Sequence, residues 1–159
     1  WLEYYFYILI VNEFIKEAEQ VMQTESFKNL PKNKRLTHLL NYYYYKGDYT
    51  KAHDLINKNN GLFKYGELSR TYAQLGDRKK LDSINKLFYL HGEFKYFYKA
   101  QVHAILKEPD SMYYYFNKII YVYNGSMAIV NSLKDFDPYK KDERYKSLLE
   151  DYYIPVPGE

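Results

Sequence analysis

The residues whose chemistry could serve a reaction are few and widely scattered. With no cysteine in 159 residues, the four histidines His38, His53, His91 and His103 are the natural candidates for a transition-metal site. A zinc-binding helix needs ligands at a spacing such as i, i+4 with a further ligand close by. No two of these histidines are so spaced, so they are expected to be packed or surface residues and no metal is assigned. The same lack of cysteine removes disulfides, thiolate sites and a cysteine nucleophile. The seven glycines stand apart from one another, and none forms a phosphate-cradling loop. Ser69, Ser83 and Ser126 lack a nucleophile-elbow setting, and Asp142 and Glu143 belong to a charged, solvated run. No catalytic residue and no cofactor is expected.

Binding chemistry is better represented. The run Lys32-Asn33-Lys34-Arg35 could touch phosphate, but Pro31 and Asn33 place it where a loop starts a helix. No second basic cluster makes a stripe with it, so a nucleic-acid partner is not expected. The 23 basic and 20 acidic residues are interspersed and leave a net charge of +3, a statement about solubility rather than partners. Tyrosine is abundant, at 22 residues. Consecutive residues of a helix point in different directions, so the runs Tyr42 to Tyr45 and Tyr113 to Phe116 must divide between core and outer face.

Glycine and proline cut the chain into pieces of helical length whose apolar residues recur three and four apart. Tyr4, Ile8, Val11, Phe14, Ile15, Ala18 and Met22 predict one long helix from about Leu2 to Gln23. Its apolar run from Tyr4 to Val11 is far shorter than the roughly 20 residues of a membrane span, and the bulky opening does not resemble a signal peptide. Because the first residue is Trp1, the chain reads as part of a longer polypeptide, and Tyr5, Phe6, Leu9 and Ile10 make this helix apolar nearly all round, as a helix covered by a neighbour would be. Leu36, Leu39, Leu40, Tyr43 and Tyr44 mark a second stripe ending at Gly47, and Asp48 is placed to cap the next helix, which carries Ala52, Leu55 and Ile56. Similar segments follow from Leu62 to Leu75, Leu81 to Phe88, Phe94 to Leu106 and Pro109 to Tyr123. Residues 119–130 taken alone read as a hairpin around Asn124-Gly125, although Tyr113, Phe116, Ile120 and Tyr123 keep helical spacing and helix is the preferred reading.

Gly47 and Gly76 are 29 residues apart, and Gly76 and Glu108 are 32, both in the range of two-helix repeats. Tyr45-Lys46-Gly47-Asp48-Tyr49-Thr50-Lys51-Ala52 resembles the tetratricopeptide turn, in which glycine ends one helix and a small residue five positions later lets the next pack closely. Leu75-Gly76-Asp77-Arg78-Lys79-Lys80-Leu81 repeats it with leucine at the small position, and Leu106-Lys107-Glu108-Pro109-Asp110-Ser111-Met112 has neither the glycine nor the alanine. The stretch Phe136-Asp137-Pro138-Tyr139-Lys140-Lys141-Asp142-Glu143-Arg144-Tyr145 through Leu149 resembles the closing segment of bacterial tetratricopeptide proteins, with lysines for arginine and Glu143 for proline.

The resemblance implies an all-α fold: a single domain over 1–159, built as a right-handed α-solenoid of antiparallel helix pairs (about 1–30, 33–60, 62–91 and 94–123) with a C-terminal capping segment over 126–153. It implies a non-catalytic module that binds a protein or peptide in a concave groove, or alternatively the sensor arm of a multidomain transcription regulator or signalling enzyme in a bacterial cytoplasm. Stacked helix pairs create such a groove along their first helices. Lys34, Thr37, Asn41 and Tyr44 are expected to face it from the second pair, Arg70 from the third, and Tyr98 and Val102 from the fourth. Asn41, Lys34 and Arg70 could hold a peptide backbone or carboxylate, with Tyr44 and Tyr98 as rigid amphipathic contacts. A small-molecule binder or hydrolase is a third reading and predicts a deep, closed pocket.

Overall fold

A computed structural model describes residues 1–59, 65–87, 95–123 and 133–151 of the chain. Every described element is helical. The chain divides into two compact units, Trp1–His91 and Gly92–Glu159. The first holds α1 (Leu2–Val11), α2 (Ile15–Gln23), the single turn α3 (Glu25–Lys28), α4 (Lys32–Lys46), α5 (Tyr49–Lys58), α6 (Tyr65–Leu75) and α7 (Arg78–Leu87). The second holds α8 (Lys95–Ile105), α9 (Pro109–Tyr123), a 3-10 segment over Lys134–Tyr139 and α10 (Glu143–Glu150). No described helix is long and apolar enough to cross a membrane.

One backbone device recurs four times. At Gly47 the chain turns left-handed, with φ at 81°, and the amides of Gly47 and Asp48 donate to the carbonyls of Tyr44 and Tyr43. This pair of bonds satisfies carbonyls that the end of a helix leaves without intrahelical donors. Gly76, at φ 70°, repeats it with Ala73 and Tyr72 as acceptors. Lys107, at φ 59°, repeats it with Ala104 and His103, so the corner of the third copy falls on Lys107 and not on Glu108, where the sequence alignment put it. Glu13, at φ 61°, repeats it once more with Ile10 and Leu9.

The fourth case corrects the expectation of one helix from Leu2 to Gln23: the left-handed residue at Glu13 ends α1 and starts α2 two residues later. The residue five positions past each corner is Ala18, Ala52, Leu81 or Met112, and all four are buried. Asp48 and Asp77 accept the amides of Lys51 and Lys80 at 3.1 Å each and so cap α5 and α7. At the Lys107 corner Pro109 opens α9 instead, where its missing N–H costs nothing.

In the first unit α4 packs against α1, α2, α5 and α6, and α6 against α5 and α7. Phe6, Ile10, Phe27, Leu40, Tyr44, Ala52, Ile56 and Leu81 fill the interior. Complete burial of a large side chain of this kind stabilises by about 1.5–3 kcal/mol. With neighbours on several sides, α4 buries Tyr42, Tyr44 and Tyr45, while Tyr43 stays half-exposed. The groove reading of α4 had Tyr43 facing the core and Tyr44 the concavity; the structure buries Tyr44 and leaves Tyr43 half-exposed.

In the second unit α8 packs on α9 and on the 3-10 segment. Met112, Phe116, Ile119, Leu133, Phe136, Tyr145 and Leu149 form its core, with Phe116 at 4.9 Å from Phe136 and 6.0 Å from Tyr145 between ring centres. Gln101, fully buried, donates to Asp135 at 2.8 Å, and the Tyr139 hydroxyl donates to the Ala104 carbonyl at 3.0 Å. Of the hairpin alternative over 119–130, Ile119 to Tyr123 close α9 as helix, and 124–130 lie outside the described residues. Of the capping segment over 126–153, the described part is the 3-10 turn and α10, whose N-cap Asp142 accepts the Arg144 amide at 2.9 Å.

Candidate functional site

Three of the predicted groove residues meet. Arg70 of α6 donates through Nη2 to Oδ1 of Asn41 on α4 at 3.0 Å, and its guanidinium lies 4.5 Å above the Tyr44 ring. Gln74, one turn on, donates to the Tyr44 hydroxyl at 3.3 Å. The expected open lining is corrected here: Asn41, Tyr44 and Arg70 are all buried. The bonds run between α4 and α6, and a buried guanidinium held by an amide and an aromatic face fixes the register of two helices. Glu67 lies one turn before Arg70, also buried, with Oε2 lacking a hydrogen-bond partner among the described residues.

Lys34 and Thr37 are placed differently. Lys34 is exposed and donates to Glu3 of α1 at 2.7 Å, and the Thr37 hydroxyl donates to the Asn33 carbonyl at 3.1 Å. Arg35 donates to the Lys28 carbonyl. The basic run therefore forms the first turn of α4, and its Lys34 and Arg35 tie α1 and α3 to that helix. In the second unit Val102 is buried within the helix packing, again against expectation, while half-buried Tyr98 meets Phe97 edge-on at 5.8 Å.

The three described histidines pack against aromatic rings. His38 is enclosed by Phe6 at 5.4 Å and Phe27 at 6.3 Å, with Nε2 at 3.4 Å from Glu3. Burial pushes its pKa below the ordinary histidine value, and the Glu3 carboxylate only partly opposes that shift. His53 contacts Lys80 at 3.1 Å, and His103 contacts Glu108 at 2.7 Å and stacks on Tyr115 at 5.3 Å. His91 lies outside the described residues. Among the described residues no three metal-ligating side chains converge.

Two surfaces remain that sequence reasoning had not assembled as sites. The first is the outer face of α1, where Trp1, Tyr4, Tyr5 and Ile8 are exposed, Trp1 at 95% and Tyr4 at 70%, with Trp1 stacked on Tyr5 at 5.5 Å. Phe14, at the corner, is 53% exposed. The opposite face, Phe6, Leu9 and Ile10, is buried. The near-continuous apolar composition of this helix was the sequence signal for the face.

The second is an open groove of about 480 Å³ between α9 and α10, lined by Tyr113, Asn117, Glu143, Arg144, Ser147, Leu148 and Asp151. Arg144 forms its wall: the guanidinium lies 4.4 Å over the Tyr113 ring and bonds Asp110 at 2.9 Å and Asp142 at 3.1 Å. Hydrogen bonds from Arg144 hold the Asp142 carboxyl below the usual carboxylate range, and burial pushes the Tyr113 phenol well up. Tyr113 and Arg144 stand 31 positions apart in sequence, and no local motif announces their contact. No protein-family model matches the chain, and neither a curated protein nor a solved structure does.

Proposed function

We propose that this chain is a tetratricopeptide-like array of helix pairs that binds another protein and has no catalytic role. The outer face of α1 carries the reading. Its exposed residues fall at positions 1, 4, 5 and 8, the spacing with which one helix presents a stripe to another. Tyrosine and tryptophan dominate that stripe, and both are enriched at interface centres because each supplies a large rigid contact with a polar tip. The recurrence of the left-handed corner at residues 13, 47, 76 and 107 supports the repeat reading, since the spacings cluster near those of two-helix repeats. In a solenoid each helix pair covers the apolar face of its neighbour, and the α1 stripe has the composition of a face so covered.

The partner is a protein helix laid along Tyr4 and Ile8. The test compares affinity capture by the wild-type protein and by a Tyr4→Glu, Ile8→Glu double variant, followed by reconstitution with each purified candidate. Both positions are exposed, so the helical circular-dichroism signal should be unchanged. A purified partner that loses at least tenfold in affinity for the variant supports the reading. Equal binding to both proteins, or no partner that discriminates them, refutes it. A sensor arm regulating a domain of the same polypeptide would use the stripe identically, and cross-linking from position 4 to a site within one chain would select that form.

A further inference from the structure

We infer that the groove between α9 and α10 is a second binding site, distinct from the α1 face, and that it takes an extended peptide segment in which a lysine or arginine stands beside an apolar residue. The groove has an apolar floor, polar groups suited to a peptide backbone, and an acidic rim. Leu148 and Tyr113 supply the floor. Asn117 and Ser147 are exposed on facing helices, and an amide and a hydroxyl can together accept from and donate to the main chain of a ligand.

The charge around this groove opposes that of the chain. Four carboxylates bear on it: Glu143 and Asp151 in the lining, and Asp110 and Asp142, which clamp the lining residue Arg144. Three cations answer them, Arg144, Lys146 and Lys118. Arg144 is shared between Asp110 and Asp142, and Lys146 bonds Glu143 at 2.8 Å. Lys118, next to Asn117, turns its ammonium over the Tyr114 ring at 5.4 Å. With four carboxylates against three cations the local balance is negative by one charge on a protein whose formal charge is +3, and Asp151 is the lining carboxylate without an ion pair among the described residues. Local charge of one sign beside an apolar floor selects the oppositely charged ligand and repels its mirror image. Arg144 itself shows the chemistry: a guanidinium already rests on Tyr113 with carboxylates at its edge.

The probes are three capped, fluorescein-labelled octapeptides in which leucine alternates with lysine, glutamate or serine, titrated by fluorescence anisotropy against the whole chain. The lysine peptide should bind at least tenfold more tightly than the other two and should weaken as salt is raised. Ser147→Trp fills the groove without changing charge, and Asp151→Lys reverses the charge of that carboxylate; each should reduce lysine-peptide binding tenfold or more. Both sites are exposed, so unchanged circular dichroism certifies folding. Equal binding of the serine and lysine peptides overturns the inference, as does lysine-peptide binding that survives Ser147→Trp, which would mean surface charge alone. The Tyr4→Glu, Ile8→Glu variant should bind the lysine peptide normally; loss of binding there places the peptide on α1 and also overturns the inference. Failure of this site leaves the α1 reading standing, and the reverse holds.

Discussion

The four left-handed corners make a stability prediction with a sign that differs between sites. A residue other than glycine in the left-handed region costs about 1–2 kcal/mol, because its Cβ crowds the following carbonyl. Glycine at the same position returns about 0.5–1 kcal/mol of that gain through its larger loss of backbone entropy. Glu13→Gly and Lys107→Gly should therefore each stabilise by about 0.5–1 kcal/mol from conformation alone. End charges do not separate them. Glu13 follows the C-terminal end of α1 but precedes the N-terminal end of α2, and Lys107 follows α8 but precedes α9, so at each corner two opposed dipole effects of about 0.3–1 kcal/mol offset. The expected value is therefore about 0.5–1 kcal/mol of stabilisation for both Glu13→Gly and Lys107→Gly. In the opposite direction, a Cβ built at Gly47 or Gly76 meets nothing within 4 Å, so Gly47→Ala and Gly76→Ala should cost about 1 kcal/mol each from backbone strain only. Guanidinium unfolding followed by circular dichroism measures all four, with midpoint changes at constant slope. In thermal melts about 1 kcal/mol corresponds to roughly 2–4 °C at this chain length. A neutral or destabilising Glu13→Gly would refute the assignment of a corner to Glu13, and the same result for Lys107→Gly would refute the corner at Lys107.

Two further outcomes follow from buried groups. His38 has its folded pKa below the unfolded value of 6.5, so the stability it contributes is complete above about pH 6.5 and declines as pH falls from there toward the folded pKa; Glu3, whose pKa is also lowered, adds its own loss only nearer 4.5. Equilibrium unfolding between pH 7.5 and 5 should show that slope, and His38→Leu should flatten it; an unchanged slope in the variant would assign it elsewhere. Arg70→Leu strands the Asn41 carbonyl oxygen and removes the cover of the Tyr44 ring, and should cost about 1–3 kcal/mol. A double-mutant cycle with Asn41→Ala checks it, since the two losses must be strongly non-additive if the 3.0 Å bond is what they share.

The helical class, most element positions and two of the four corners are legible in the sequence because glycine is the residue that tolerates a left-handed backbone without steric cost. Gly47-Asp48 and Gly76-Asp77 announce both the stop and the following cap. Glu13 announces nothing, and Lys107 is announced only by the repeat spacing, which placed the third corner one residue on at Glu108; their left-handed φ goes with helices that pack on either side of the turn and bury Ala18 and Met112. Apolar periodicity also ran through residue 13 without interruption, which is why α1 and α2 read as one helix.

For the candidate sites the division is similar. Residue type and helical spacing put Lys34, Thr37, Asn41, Tyr44, Arg70, Tyr98 and Val102 along one open groove; of these Asn41, Tyr44 and Arg70 meet, and they meet in the interior. Whether such a set faces solvent or the interior depends on how many neighbours its helix acquires, and α4 acquires neighbours on several sides. The sequence by itself determined the helices, the glycine corners, the caps and the apolar excess of the first helix, all of which follow from local backbone and side-chain preferences. Only the tertiary structure decided that the Arg70 cluster is interior, that α1 breaks at Glu13, and that Tyr113 and Arg144 face each other across a groove, because burial and long-range contact are properties of packed helices and of no single segment.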